Sequence, residues 1–142
     1  MSRGLRMNHV PAEWAGRVHA GDVKLPVAPT TSRGMNKLEQ RWAEQLEIER
    51  AAGEIRSWRY NSIRLKLADG SWFKPDFVVI CADGSMRIDE TKGHWREAAR
   101  VRIRVAAELY PEFRFRALSW HGHEGWAVEA FGAAEGGAQL HT

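Results

Sequence analysis

A single cysteine, Cys81, is all the thiol chemistry the sequence holds. No internal disulfide can form, and its place within an apolar run suits a reducing cytosol. No apolar run approaches the ~20 residues that cross a bilayer, and the opening MSRGLRMNHVPAEW lacks the continuous apolar segment of a secretory signal. These absences point to a soluble, cytoplasmic protein with no membrane partner. Basic residues are also missing from Ala117 onward, where Glu124, Glu129 and Glu135 lie, so the net charge of +3 is concentrated in the preceding residues. A bias of that kind fits a polyanion such as nucleic acid without requiring one. With 142 residues there is chain enough for one sizeable hydrophobic core but not for two.

Residues 1–34 are rich in Gly, Pro and small side chains and carry Arg3, Arg6, Arg17, Lys24 and Arg33 against Glu13 and Asp22. With no sustained period of 2 or 3.6, they predict an extended basic arm. Met35 to Ala52 predicts a helix: Leu38, Trp42 and Leu46 recur at four-residue steps, Asn36 can cap the start, and Gly53 follows the end. Ile55–Tyr60 and Ile63–Leu67 alternate apolar with basic residues, as one strand or as two broken near Asn61, and Trp72 to Cys81 makes the next strand. Turns of sequence ADGS at 68–71 and 82–85 then give an antiparallel meander of three strands.

Trp95 to Tyr110 predicts a second helix, with Arg96, Arg100 and Arg104 on one stripe and Arg102 nearby. Either phosphates or the acids Glu97 and Glu108 would answer that charge. Phe113 to Trp120 alternates as a strand, which the intervening helix should set parallel to Met86–Lys92. Trp126 to Phe131 follows as an edge strand, and 132–142 reads as a disordered tail. His121 and His123 in a turn are too little to indicate a metal site.

The meander is organised around KPDFVVICADGSMRIDETKG, residues 74–93. A three-residue loop at Ala82-Asp83-Gly84 would set Cys81 against Ser85, and therefore Asp76 against Glu90, with Lys92 on the face of Glu90. A two-residue loop at Asp83-Gly84 would instead set Asp76 against Thr91 and send Glu90 to the opposite face. The sequence permits both, and the first is preferred for the chemistry it allows. Two close carboxylates repel unless a cation lies between them. Mg²⁺ takes oxygen ligands and keeps several waters, so Asp76 and Glu90, with the Thr91 carbonyl as a third oxygen and Glu39 reaching in from the first helix, suffice to hold it. Metal-bound water is a nucleophile near neutral pH, and the Lys92 ammonium would stabilise the charged phosphorane-like state. These residue types together suit phosphodiester hydrolysis.

Helix, three-stranded meander, helix and strand, with Pro75-Asp76, Glu90-Thr91-Lys92 and the first-helix acid Glu39, resembles the core of the PD-(D/E)XK nuclease superfamily. The stretches NKLEQRWAEQLE, FKPDFVV, DETKG and ARVRIRVAAELYPEFRF are similar to a small bacteriophage and prophage family within it, related to Holliday-junction resolvases and restriction endonucleases. The resemblance covers about residues 35–118. It implies an α/β, restriction-endonuclease-like αβββαβ core within a domain at 35–131, in which a mixed sheet is flanked by helices. It further implies an endonuclease that cuts DNA with Mg²⁺ or Mn²⁺, structure-selective for junction or branched DNA in phage recombination or repair as one form of that activity, a homodimer, and the host cytoplasm as location. Position by position, Asp76 and Glu90 match the metal-binding acids, Lys92 the catalytic lysine and Glu39 the first-helix acid, while Asp89 should point to the other face. Arg96, Arg100, Arg104 and Lys74 are candidates for nucleic-acid contacts on their charge alone.

Two other readings use the same residues. A non-catalytic nucleic-acid-binding or regulatory phage protein would keep the fold and hold a strand with Trp58, Arg59, Tyr60, Arg64 and Lys66. In a purely architectural reading, Asp76 and Glu90 form an ion-pair network with Lys92 and Lys74.

Overall fold

The structure, a computed structural model, describes residues 23–24, 34–132 and 140–141. The expectations of an arm at 1–34 and a disordered tail at 132–142 therefore fall largely outside the described residues. Within those stretches, strand β1 (Val23–Lys24) and strand β9 (Leu140–His141) are each paired into a sheet.

Helix α1 (Lys37–Ala51) begins where Asn36 closes a capping box: Glu39 N–H donates to Asn36 Oδ1 at 2.7 Å and Asn36 N–H to Glu39 Oε1 at 3.0 Å. It ends in a Schellman arrangement, with Gly53 N–H bonded to the Arg50 carbonyl and Glu54 N–H to that of Glu49. That geometry requires the left-handed backbone of Gly53 (φ +81°), which a side chain would strain. Trp42 and Leu46 form its buried stripe.

Strands β2 (Ile55–Tyr60), β3 (Arg64–Ala68), β4 (Ser71–Phe73), β5 (Phe77–Cys81) and β6 (Met86–Thr91) make the meander. The run from Trp72 to Cys81 is not one strand, as the sequence suggested, but two. Pro75 has no N–H to donate to a ladder, and opposite the next residue Asn61 turns left-handed (φ 54°) and donates its N–H to the Asp76 carbonyl at 2.7 Å. The long hairpin therefore divides: β3 and β4 join β1 in a three-stranded sheet, and β2 and β5 enter a larger one. The two ADGS turns also differ. Ala68 faces Ser71 across a two-residue loop, whereas Cys81 N–H bonds the Ser85 carbonyl at 2.8 Å across a three-residue loop.

Helix α2 (Glu97–Leu109) returns the chain to β7 (Phe113–Trp120), which runs parallel to β6, and β8 (Trp126–Phe131) pairs antiparallel beyond it. The result is an α/β fold with a mixed sheet ordered β2-β5-β6-β7-β8-β9, in which β6 with β7 is the parallel pair. One face packs Phe77, Val79 and Leu118 under Trp42 and Leu46 of α1. The other packs Val78, Ile80, Ile88 and Phe115 under Ile103 and Ala106 of α2 and under Leu65 and Phe73 of the small sheet. Strands β5 and β6, enclosed on both faces, are buried along their whole length. No helix among the described residues is long and apolar enough to cross a membrane.

Candidate functional site

The pairs Phe77–Asp89 and Val79–Arg87 belong to the three-residue-loop register, and one further step sets Asp76 against Glu90. Because Cys81 and Ser85 are a hydrogen-bonded pair, alternation along the ladder makes Asp76–Glu90 a non-bonded pair, the kind whose side chains come closest. Asp76 N–H, released from the ladder, donates to Glu90 Oε1 at 2.9 Å. Thr91 donates both N–H and Oγ1–H to Asp76 Oδ2, each at 2.9 Å. Since a strand residue's N–H and C=O leave along the same edge, the Thr91 carbonyl also faces the Asp76 side. Lys92 Nζ lies 3.2 Å from Glu90 Oε2.

Negative charge predominates here. Burial, then the neighbouring Glu90 and Glu39, push the Asp76 carboxyl up to about 8, against the pull of the Thr91 hydrogen bonds. Burial also pushes Glu90 up, although Lys92 and the Asp76 N–H partly offset it. Glu39 is half-buried, and its Oε1 accepts from Asn36 N–H and from the Tyr60 hydroxyl, each at 3.0 Å. Burial and that carboxylate push the Tyr60 hydroxyl up to about 12. Glu39 is thereby oriented by its own helix start and by β2.

Among the described residues no group of three or more His, Cys, Asp or Glu side chains is arranged to hold an ion unaided. A small hard cation needs fewer, because substrate phosphate and water complete its shell. The donor set fits such an ion: two carboxylates raised by burial, Asp76 also by the charge of Glu90, a backbone carbonyl on the same edge, and a third acid within electrostatic reach.

Next to the pair, a recess of about 230 Å³ opens between β4 and α2, lined by Trp72, Phe73, Lys74, Glu90, Lys92 and Arg102. Arg102 donates to the Trp72 carbonyl. Of the predicted stripe, none lines this recess. Arg96 is the exposed residue preceding α2, Arg100 bonds Glu129 at 2.8 Å and stacks 4.5 Å from the Trp95 ring, and Arg104 stands 4.0 Å from Glu97. A four-residue step selects 96, 100 and 104 and passes over Arg102, which points nearly the opposite way around the helix. The signal for Arg102 was the alternation of RVRIRV, which puts basic residues on more than one face.

Sequence reasoning also missed what lies behind β6. Asp89 does point to the other face, and there it is fully buried. It accepts from Arg87 Nε at 2.9 Å, Arg116 Nε at 3.1 Å and Trp42 Nε1 at 3.1 Å, while Arg87 also reaches Glu49 at 3.3 Å. Burial alone would raise the Asp89 carboxyl, but Arg116 and Arg87 hold it below its ordinary range. The available signal was Arg87 and Asp89 two apart on a strand otherwise reading as central. Of the residues suggested for strand holding, Trp58 and Tyr60 pack on Phe77 at 5.7 and 5.5 Å between centroids, and Lys66 pairs with Asp69 at 3.2 Å, leaving Arg59 and Arg64 exposed. His121 and His123 are exposed in the turn before β8. Compared with protein-family models, with curated proteins and with solved structures, the chain matches none.

Proposed function

We propose that this protein is a metal-dependent endonuclease that hydrolyses DNA phosphodiester bonds, built on a restriction-endonuclease-like core of the PD-(D/E)XK type. The observation that carries this reading is the facing of Asp76 and Glu90, both pushed toward protonation, with the Lys92 ammonium 3.2 Å from Glu90 at the open end of the hairpin. An architectural ion-pair network accounts for less. Among the described residues the cation paired with this couple is Lys92 alone, on Glu90, and Asp76 has none. Burying an uncompensated carboxylate costs several kcal/mol (~3–5 where a partner is missing), so its retention asks for a ligand.

Asp76, Glu90 and the Thr91 carbonyl would hold Mg²⁺ or Mn²⁺, with Glu39 beside them. Such an ion supplies Lewis acidity toward a phosphate oxygen and acidifies water. The chain's own residues supply the geometry. Thr91 fixes Asp76 Oδ2 with two hydrogen bonds. Tyr60 and Asn36 hold Glu39 Oε1 in the same way. Lys92 is a compact point charge beside the acids, placed to orient water and to stabilise charge growing on the phosphorus oxygens. Cutting both strands of a duplex takes two such sites, so a homodimer acting on junction or branched DNA in phage recombination or repair is the form this reading takes.

Labelled junctions, flaps, duplexes and single strands incubated with Mg²⁺, Mn²⁺ or EDTA test it. Cleavage is expected only with metal, and Asp76→Asn, Glu90→Gln and Lys92→Ala should each lower the rate by about 10²-fold or more. All three variants cutting at the wild-type rate would sink the proposal. Metal-responsive binding of DNA with no cleavage across the panel would favour the non-catalytic nucleic-acid-binding reading on the same fold.

A further inference from the structure

We infer that the recess between β4 and α2 is a phosphate-binding subsite, which receives a phosphate of the nucleic-acid strand adjacent to the one at the acid pair. The inference rests on the nucleic-acid reading of that neighbouring pair. Its first ground is size. At about 230 Å³ the recess has room for about seven waters at ~30 Å³ each. That is below the ~300–1,000 Å³ of pockets enclosing whole organic ligands, and it suits a hydrated phosphate group.

Charge is the second ground. Three cations, Lys74, Lys92 and Arg102, border the recess against one acid, Glu90, which Lys92 already answers. Several arginines elsewhere are answered by acids: Arg50 by Glu47, Arg87 and Arg116 by Asp89, Arg100 by Glu129. Lys74 and Arg102 have no carboxylate partner among the described residues. The Trp72 carbonyl holds the Arg102 guanidinium in place at the rim, so less freedom is lost when an anion arrives. Position is the third ground. Lys74 is two residues from Asp76, and Glu90 lines the recess and belongs to the acid pair. A phosphate bound there is a neighbour of the one at the reaction centre.

A phosphate could reach this subsite as an internal phosphodiester or as the terminal phosphate of a strand. Fluorescence anisotropy of the full chain in EDTA, with short labelled duplexes ending in 5′-phosphate or 5′-hydroxyl and titrated across salt concentrations, separates the two. Lys74→Gln and Arg102→Gln should each flatten the slope of log affinity against log salt by about 0.9, and the double variant by about twice that. Arg102→Lys should retain the wild-type slope, and so should Arg50→Gln on α1. Equal losses for both duplexes identify an internal phosphodiester, and a loss confined to the 5′-phosphate duplex identifies a terminal one. A double variant with wild-type slope and affinity overturns the subsite, as does a wild-type protein that binds neither duplex. If the slope depends on Lys74 and Arg102 while no substrate is cut with Mg²⁺ or Mn²⁺, the subsite stands and the hydrolase reading falls. Both side chains are exposed at the recess, and circular dichroism of each variant checks that the fold is kept.

Discussion

Asp76 sits at the point where the backbone leaves its ladder, with its carbonyl taken by Asn61 N–H and its carboxyl turned toward Glu90 and Thr91. Its carboxyl is pushed from 3.8 to about 8 in the folded chain. Between those values the folded chain keeps a proton that the unfolded chain has released. Stability in metal-free buffer therefore falls as pH rises from 4 to 8. Asp76→Asn removes that dependence, because the amide keeps an acceptor for Thr91 and carries no charge. At ~1.4 kcal/mol per unit, discounted for the half-buried side chain, the variant should be more stable than wild type by roughly 2–4 kcal/mol at pH 8 and nearly equal at pH 4. Urea unfolding in EDTA at both values measures this, and a wild type equally stable at both would refute the argument. The facing of Asp76 and Glu90 was legible only as one of two registers that Asp83-Gly84 permits, and the chemistry it allows is what favoured it. The height of the Asp76 shift was not legible, since it depends on burial and on the nearby Glu90 and Glu39, which no local pattern reports.

Helix α1 and strand β6 meet through charge as well as packing. Trp42 Nε1 and Arg87, which also holds Glu49, converge on Asp89 from the α1 side, and Arg116 of β7 completes the group. Removing the acid leaves two largely buried guanidinium groups without the carboxylate they share. Asp89→Ala should therefore cost about 3–5 kcal/mol, whereas Trp42→Phe, which deletes one hydrogen bond to the acid and keeps most of the packing, should cost about 1–3 kcal/mol. Denaturant unfolding of both variants distinguishes them, and a smaller loss for Asp89→Ala than for Trp42→Phe would show that Arg87 and Arg116 find other partners. At this scale the sequence was informative where signals were local: the Asn36 cap and Gly53 stop of α1, the apolar run of β5, and β7 parallel to β6 after an intervening helix. It was silent where distant residues share one decision. Nothing in β6 itself shows that Trp42, Glu49 and Arg116, from two other elements, gather around Arg87 and Asp89. Asn61 and Pro75 likewise split the long hairpin together, because Asn61 lies opposite Asp76, the residue after the proline.

For the whole molecule, the proposed ion at the acid pair would couple binding to folding. Only the folded chain brings Asp76 and Glu90 together, so an ion held between them stabilises the fold by an amount that grows with the logarithm of its concentration, about 2.7 kcal/mol at 100 times its dissociation constant. Protons compete for the same oxygens. Both carboxyls are pushed above their ordinary values, so at pH 5 each ion must displace bound protons, whereas at pH 8 Asp76 has lost much of its own. Mn²⁺ or Mg²⁺ should therefore raise the melting temperature by several degrees at pH 8 and little at pH 5, opposing the metal-free loss of stability over that range. Asp76→Asn combined with Glu90→Gln should melt at one temperature with or without the ion. Differential scanning calorimetry across pH, with each ion and with EDTA, supplies the measurement. An equal rise at both pH values, or one that survives in the double variant, would locate the ion away from this hairpin, because carboxyls that hold protons at pH 5 make the gain depend on pH, whereas ordinary carboxylates are already ionised there.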